Sequence, residues 1–342
     1  MNQISIFEHD DFLSTLAQHK DPLEKLDRAI DWDLFRPLLD DLLKKERLSN
    51  AGRKAFDSLM MLKVLVLQSL YSLSDAQAEF QILDRYTLKR FLCITTEADV
   101  PDEKTIWLFR ERISEAGARK LFDKFAEEMD KAGLTAKQGS MIDATFVEAP
   151  RQRNSREENE IIKKGEKPEV WSDAKSRQKD LDARWTKKNN ETHYGYKNHA
   201  LVDAKHKLVR EYTVTPANVH DSKELPGLLK KCKQNADKEV YADSAYRSKE
   251  LEEKIEDEGL QSKVMEKGNR NAPLTEEQKS RNKAKSSIRV RVEHVFGRMK
   301  QFGSDKVRCI GKARAAMRIG LANLVYNLDR VALLGGLRPK AA

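Results

Sequence analysis

The chain has 342 residues, of which 39% are hydrophobic and 35% charged, and its formal net charge is +9. This length allows two domains with buried cores, and the mean hydropathy of −0.71 is typical of a soluble protein with an ionised surface. No apolar run reaches the roughly 18 residues needed to span a bilayer, and three widely spaced cysteines favour a reducing cytoplasm over a disulfide framework.

The first part of the chain has the pattern of packed helices. Between residues 22 and 133, apolar residues recur at three- and four-residue spacing, as in Leu59, Leu62 and Val66. Ser74 and Asp102 stand where helix N-caps belong. We therefore predict an all-helical N-terminal domain over residues 1–136, with about six helices and no catalytic residues.

The pattern changes near Gly139, where strands and helices begin to alternate. Strands are predicted over residues 141–147, 196–202, 208–214, 239–242 and 261–265, and helices over 221–232, 248–258 and 286–300. This order is that of the ribonuclease H-like fold, a mixed sheet with flanking helices. Residues 137–342 are therefore predicted to form one catalytic α/β domain.

A charged segment at about 150–192 interrupts that domain. It has few aliphatic residues, so we interpret it as an insertion that is partly mobile until a partner binds. Its two tryptophans, Trp171 and Trp185, are candidates for stacking on bases or for packing on the core.

Two aspartates stand at chemically informative places on predicted strands. Asp143 lies in the middle of the first strand, where a buried carboxylate is costly without a cation. Asp243 directly follows a short strand, and ligands gather at the carboxyl ends of parallel strands. The alternatives are an exposed or capping role for Asp143 and a helix N-cap role for Asp243.

A third carboxylate lies on the predicted helix over 286–300. At about 100° per residue, Ser286, Arg289, Glu293 and Lys300 fall within roughly 60° of one another and share one face. The apolar residues form a separate stripe, so the helix can bury one side and aim Glu293 at a site. The alternative is an Arg289 to Glu293 surface pair.

Two aspartates and one glutamate on three elements suit a site for two metal ions. Hard divalent cations such as Mg²⁺, with Mn²⁺ as a substitute, take oxygen ligands and keep positions open for water and phosphate. Such a pair of ions supports in-line phosphoryl transfer without any further nucleophile. We therefore predict that Asp143, Asp243 and Glu293 are both metal ligands and catalytic residues.

The positive charge is concentrated in one region. Residues 263–300 hold 11 Lys or Arg against four Glu, a surplus of 7. Clustered cations bind phosphate backbones by releasing counterions, so this region indicates a DNA partner. The alternative is a solvated basic helix face.

The same residues carry a resemblance to a known family. From residue 52 onward, the chain resembles the DDE transposases of bacterial insertion sequences, specifically the insertion-sequence-five group of the insertion-sequence-four-like superfamily. The family's helix pattern is Tyr, two residues, Arg, three residues, Glu, six residues, Lys, which Arg289, Glu293 and Lys300 match. Ser286 stands at the Tyr position, so contacts of that Tyr are not carried over. The other matching segments are residues 72–75, 101–106, 142–145, 193–197 and 241–246.

The resemblance implies a function and partners. It implies a transposase that binds terminal inverted repeats and cuts and joins DNA strands with a two-metal DDE site. Arg289 and Lys300 would contact phosphates beside the scissile bond, and Lys197 and Arg298 are further candidates for DNA contacts. The N-terminal domain would bind the DNA end or support dimerisation. Double-stranded DNA, a homodimer on DNA and a bacterial, nucleoid-associated cytoplasmic location are expected.

Two other functions remain open at the level of sequence. A structure-selective nuclease of the same fold would cut DNA without joining strands. A DNA-binding derivative without catalysis would lack metal-dependent nicking, although the three acidic residues argue against it.

Overall fold

The first half of the computed structural model is helical. The structure describes residues 21–44, 54–134, 139–188, 190–234, 238–268 and 273–337, together with three separate positions before residue 20. Residues 52 and 53, where the family resemblance begins, lie outside the described ranges. The helices of this region are α1 Pro22–Ala29, α2 Arg36–Leu43, α3 Ser58–Tyr71, α4 Asp75–Asp84, α5 Tyr86–Leu92 and α6 Glu103–Lys131.

Both predicted N-caps are present. Ser74 accepts from the backbone N–H of Gln77, whose side chain accepts from the Ser74 N–H in return. Asp102 accepts from the Thr105 N–H at 2.6 Å. Among the described helices, none alone has the length and apolarity to cross a membrane. α3 and α4 reach that length and composition only together, across a bend of 101°.

Two local departures from regular helix occur in this region. The run that begins at Trp32 is divided into a 3₁₀ turn, Trp32–Phe35, and α2, which has a proline in its first turn. Within α6, Ser114 has φ 58° and ψ 178°, a combination that side-chain-bearing residues rarely adopt. α6 is therefore kinked at Ser114.

A six-stranded mixed sheet follows. Its strands are β1 Ser140–Glu148, β2 Arg184–Lys188, β3 Glu191–Asp203, β4 Val209–Pro216, β5 Glu239–Ala242 and β6 Gln261–Ser262. β3 pairs antiparallel with β1, β2 and β4, whereas β5 pairs parallel with β1 and β6. The strand order β2-β3-β1-β5-β6, with β4 also paired to β3, confirms the predicted ribonuclease H-like arrangement.

The helices of this region cover both faces of the sheet. They are α7 Arg156–Lys163, α8 Asp173–Arg177, α9 Leu225–Gln234, α10 Lys249–Asp257, α11 Glu276–Gln301 and α12 Lys312–Leu334. Apolar residues of α9 and α10 share a cluster with Ile142, whereas those of α11 and α12 share the larger cluster with Met141. Neighbouring residues of β1 therefore face opposite layers.

Several predicted bounds in this region were wrong. α11 begins at Glu276, ten residues before the predicted start, because Thr275 and Gln278 form a capping box there. β6 covers only two of the five predicted residues. The predicted helix over 221–232 is a 3₁₀ turn, Asp221–Lys223, followed by α9.

The core is continuous across the helical region and the sheet. α12 packs against α1, α3 and α6 as well as β4. Its Asn327 amide accepts from the Val209 N–H at 2.9 Å and donates to the Val209 carbonyl at 2.8 Å. α12 therefore joins the two regions.

The charged segment is tied to the rest of the molecule. Trp171 is buried, and its indole N–H donates to Glu158, so of its two predicted roles the structure shows packing. The Asp180 and Asp182 carboxylates accept from the backbone N–H groups of Gly311 and Lys312, at the N-terminus of α12. Trp185 is 45% exposed. The predicted mobility of this segment stays a prediction.

Candidate active site

Asp143 and Asp243 lie side by side on neighbouring parallel strands. Ile142 of β1 is the register partner of Ala242 of β5, and each aspartate is the next residue. Side chains alternate along a strand, so Asp143 faces the layer of Met141, in which α11 lies. The sheet therefore brings both carboxylates to one edge beneath α11.

Asp143 is a mostly buried carboxylate, with 16% of its side chain exposed, and it has two partners. Its Oδ1 accepts from the Ala144 N–H at 2.8 Å, and its Oδ2 accepts from Nη1 of Arg289 at 2.9 Å. Burial raises the pKa of the Asp143 carboxyl to about 6, against the lowering effects of the Ala144 N–H, Arg289 and Lys188. A cation near this carboxylate therefore relieves the cost of burying it.

Arg289 connects the sheet to Glu293. Its Nη2 donates to Oε1 of Glu293 at 2.8 Å, one turn further along α11. The Arg289 side chain is 17% exposed and that of Glu293 is 54% exposed. The apolar stripe of the helix is buried, so the predicted face is present and points toward Asp143.

The three predicted metal ligands are not drawn together to ligating distance. In the described ranges, no group of three or more carboxylate, His or Cys side chains could hold a metal ion. Glu293 does not join the two aspartates because its carboxylate is paired with Arg289 on the same helix. The guanidinium occupies the space between Asp143 and Glu293, and the donors around it are the oxygen atoms that hard cations prefer. The site therefore fits positive charge, here supplied by Arg289.

Asp243 has the capping role that was its alternative interpretation. Its Oδ1 accepts from the Ser244 N–H at 2.6 Å, at the start of the 3₁₀ turn Ser244–Tyr246. One carboxylate oxygen is thereby used, and the cap does not conflict with a ligand role for the other.

Tyr246 is a site neighbour that the sequence analysis did not single out. Its hydroxyl is buried with no hydrogen-bond partner among the described residues. Burial, followed by the charges of Asp221, Asp143 and Asp243, raises the pKa of Tyr246 well above its ordinary value. The sequence does contain a signal for this neighbour. Tyr246 stands three residues after Asp243, and the 3₁₀ turn that Asp243 caps ends at Tyr246.

Comparison with protein families agrees with this geometry. A family model described as "Transposase DDE domain" matches residues 135–328. The chain belongs to this family. A second model, described as "Transposase domain (DUF772)", matches residues 11–112, over most of the helical region.

One similar solved structure is a cryo-EM structure of the piggyBac transposase synaptic complex with hairpin DNA. The identity is 10% and the TM-score 0.46, over 92% of this chain and 75% of that chain.

Behind the carboxylates of this DDE domain lies a second buried polar group. The Lys197 ammonium donates to the Val219 carbonyl and to Asp221, both at 2.7 Å. His199 is fully buried, with Nε2 2.8 Å from the Thr215 hydroxyl and Nδ1 4.0 Å from Asp221. Burial lowers the pKa of His199 to about 4.

This group changes the place of a predicted DNA contact. His199 lies where β3 is covered by other elements. His220 caps the turn Asp221–Lys223, and Asp221 pairs with Lys197. Lys197 lies inside the protein, so its ammonium is engaged by protein oxygens rather than presented at the surface.

The other two predicted DNA contacts are placed differently from each other. Arg298 lies on the side of α11 away from Arg289, and it donates twice to Asp329 of α12, each at 3.1 Å. It serves there as a link between helices. Lys300 is exposed, and its side chain makes no ion pair or hydrogen bond with another described residue.

A cleft of about 420 Å³ begins one residue beyond Asp143. Ala144, Thr145 and Lys300 line it, together with Lys188 and Lys306, which the sequence analysis did not single out. Both of these lysines are exposed. Three acidic residues, Glu148, Glu191 and Asp305, line it as well, so the cleft leads from the carboxylates to a surface of mixed charge that includes three lysines.

Proposed function

We propose that the protein is the transposase of a bacterial insertion sequence of the insertion-sequence-five group. It binds the terminal inverted repeats of double-stranded DNA and catalyses metal-dependent strand cleavage and strand transfer. The observation that carries this proposal is the meeting of Asp143, Asp243 and the Arg289–Glu293 pair at one edge of the sheet in a DDE transposase domain.

Asp143, Asp243 and Glu293 would hold the metal, which we propose to be two Mg²⁺ ions, with Mn²⁺ as a substitute. When bound, the ions activate the attacking water or 3′-hydroxyl and stabilise the leaving oxygen. The donor set supports this proposal, because all three groups are carboxylates and a cationic guanidinium already lies between two of them.

Arg289 has a defined part in this proposal. Its two terminal nitrogens neutralise Asp143 and Glu293, and its Nε is buried without a partner in the described part of the chain. A cation that binds to Asp143 and Glu293 would replace the positive charge of Arg289 and release its guanidinium from at least one of these two carboxylates. The released guanidinium then has free donors for a phosphate oxygen, for which its planar fork is suited.

The surroundings of the site support DNA as the partner. Lys188, Lys300 and Lys306 line the adjoining cleft beside Glu148, Glu191 and Asp305, and the three ammonium groups are available to bind phosphate oxygens. A homodimer on DNA and a nucleoid-associated place in the cytoplasm belong to the same proposal.

The test is a cleavage and strand-transfer assay on a DNA end of the source element with Mg²⁺ or Mn²⁺. We expect joined products from the wild type and none from Glu293→Ala. Glu277→Ala is the matched control, because Glu277 is an exposed glutamate on another face of α11. Activity that survives Glu293→Ala would falsify the site assignment.

The same assay separates the alternatives. Metal-dependent cutting without joining identifies a structure-selective nuclease. Binding of the DNA end without any nicking identifies an inactive DNA-binding derivative.

A further inference from the structure

Three clefts adjoin one another between the active site and the helical region. The first is the cleft beside Asp143, which Thr145 and Lys306 line. The second, of about 270 Å³, shares Lys306 with the first and adds Arg308 and Arg318. The third, of about 520 Å³, shares Arg308 and Arg318 with the second and ends at Trp107 of α6. The residues common to successive clefts are Lys306 with Asp305, and then Arg308, Arg318 and Arg110 with Asp75, so cations outnumber carboxylates among them.

The backbone at residues 305–308 aligns two of these cations. The Glu148 N–H donates to the Asp305 carbonyl, and the Val307 N–H donates to the Glu148 carbonyl, both at 2.8 Å. This strand-like pairing buries Val307 and leaves Lys306 and Arg308 exposed on the same side. In extended chain such residues are about 6.6 Å apart. Neither makes an ion pair or hydrogen bond with another described residue.

Arg318 is a half-buried cation without a dedicated partner. The nearest carboxylates are used by other arginines: Asp75 by Arg110 at 2.6 Å, and Glu111 by Arg314 at 2.8 Å. Within the described ranges, the Arg318 guanidinium itself makes no ion pair or hydrogen bond. A guanidinium in a concave, partly desolvated place binds a phosphate group favourably, because the cost of its burial is then offset.

The wall of the third cleft has two unusual features. Trp107 is 46% exposed although it lies on a helix whose other large apolar residues mostly pack inward. The kink at Ser114 occurs in the same wall. Backbone conformations of this kind concentrate at ligand sites, and an exposed aromatic beside cations is a platform for a base.

We propose that Lys300, Lys306, Arg308, Arg318 and Trp107, which we call the basic track, bind one strand of DNA as it continues from the active site to the helical region. The four cations contact successive parts of the sugar–phosphate backbone, and one base stacks on Trp107. The proposal rests on the proposed function, and adds to it the path of the DNA and the residues that define the path.

The test is equilibrium binding of a fluorescent duplex from the element end, measured by anisotropy without divalent metal over a series of salt concentrations. Lys306→Ala and Arg308→Ala are compared with Lys230→Ala, an exposed lysine of α9 on the opposite face of the sheet. Each phosphate contact contributes about 0.9 to the slope of log K against log salt. We expect each track variant to reduce the slope by about 1 and to weaken binding about 8-fold at 0.1 M salt.

Trp107→Leu probes the base platform separately, on the same duplex carrying an unpaired extension of one strand. Stacking is worth about 1 to 3 kcal/mol per base, so we expect affinity to fall about 5- to 150-fold with an unchanged salt slope. Circular dichroism and thermal unfolding check that each variant is folded. Arg308→Ala is informative even where a variant of half-buried Arg318 fails to fold, because Arg308 is exposed.

The outcomes distinguish this inference from the proposed function. A wild type that binds and cuts the DNA end, with track variants that behave like Lys230→Ala, overturns the basic track alone. A wild type that neither binds nor cuts overturns the proposed function. A third outcome is that inorganic phosphate inhibits DNA binding by the wild type but not by the variants, while the variants keep wild-type DNA affinity. The clefts then bind a small anion, and the track is wrong.

Discussion

The helical region and the active site each place an arginine among carboxylates, but they satisfy it differently. Arg110 of α6 directs both terminal nitrogens to Asp75, at 2.6 and 2.7 Å, and Gln68 donates to the same carboxylate at 2.7 Å. Arg289 divides its nitrogens between Asp143 and Glu293, and its Nε is buried without a partner among the described residues.

The difference separates a structural ion pair from the pair that we propose to be functional. A buried pair with two parallel hydrogen bonds holds one geometry, and removal of either partner leaves an uncompensated charge. A guanidinium shared by carboxylates on two elements stabilises neither completely. The site of Arg289 is therefore arranged for exchange of its positive charge, whereas that of Arg110 is arranged to keep it.

The largest expected effect is on the structural side. Asp75→Ala leaves Arg110 buried and unpaired, so we expect the free energy of unfolding to fall by about 3 to 5 kcal/mol. Urea denaturation followed by circular dichroism measures this. Asp33→Ala is the matched control, because Asp33 is an exposed partner of Arg36, and we expect a change of less than about 1 kcal/mol. Equal effects of the two substitutions would contradict the structural role of the Asp75 pair.

An effect of intermediate size is expected from His199, on the pH dependence of the free energy of unfolding. Its folded-state pKa of about 4 lies below the ordinary value near 6.5, so the unfolded chain takes up the proton first as pH falls. This contribution to stability is present above pH 6.5, declines by up to about 1.4 kcal/mol per pH unit, and is exhausted near pH 4.

The readout is the difference between the wild type and His199→Gln. We expect the wild type to lose about 2 kcal/mol more than the variant between pH 6 and pH 4.5. Urea titrations at a series of pH values provide the two curves. Parallel curves would mean that the pKa of His199 is the same in the folded and unfolded protein, so that burial does not lower it.

The smallest expected effect on stability is at the site itself. Asp143→Asn keeps an acceptor for the Ala144 N–H and removes a charge that burial opposes. We expect the free energy of unfolding to change by less than about 1 kcal/mol, with complete loss of strand transfer. A stability loss as large as that of Asp75→Ala would remove the distinction between the two arginines.

The elements that carry the site were predictable because their patterns are local. A buried strand directly before Asp243 and an apolar stripe separate from Glu293 are visible in the sequence, and the structure has both. The choice between a capping and a ligand role for Asp243 was not predictable, since it depends on the neighbouring strand. The interior positions of Lys197 and His199 depend in the same way on elements distant in sequence.

The parts that the sequence analysis missed depend on tertiary contacts. α12 was not predicted. Its Asn323 and Asn327 interrupt the apolar pattern of the sequence, although both are buried in the structure. Their side chains form hydrogen bonds with β3 and β4. The basic track joins residues of α6, α11, α12 and the 305–308 segment. No local pattern brings these elements together.

The position of α12 has a consequence for the order in which the protein folds during synthesis. α1, α3 and α6 pack against a helix that begins about 180 residues after α6 ends. At 5 to 20 residues per second, the helical region waits roughly 10 to 35 seconds on the ribosome for this partner. During that time its apolar surface is open to chaperones, and synthesis of α12 is the event that completes the core of the part made first.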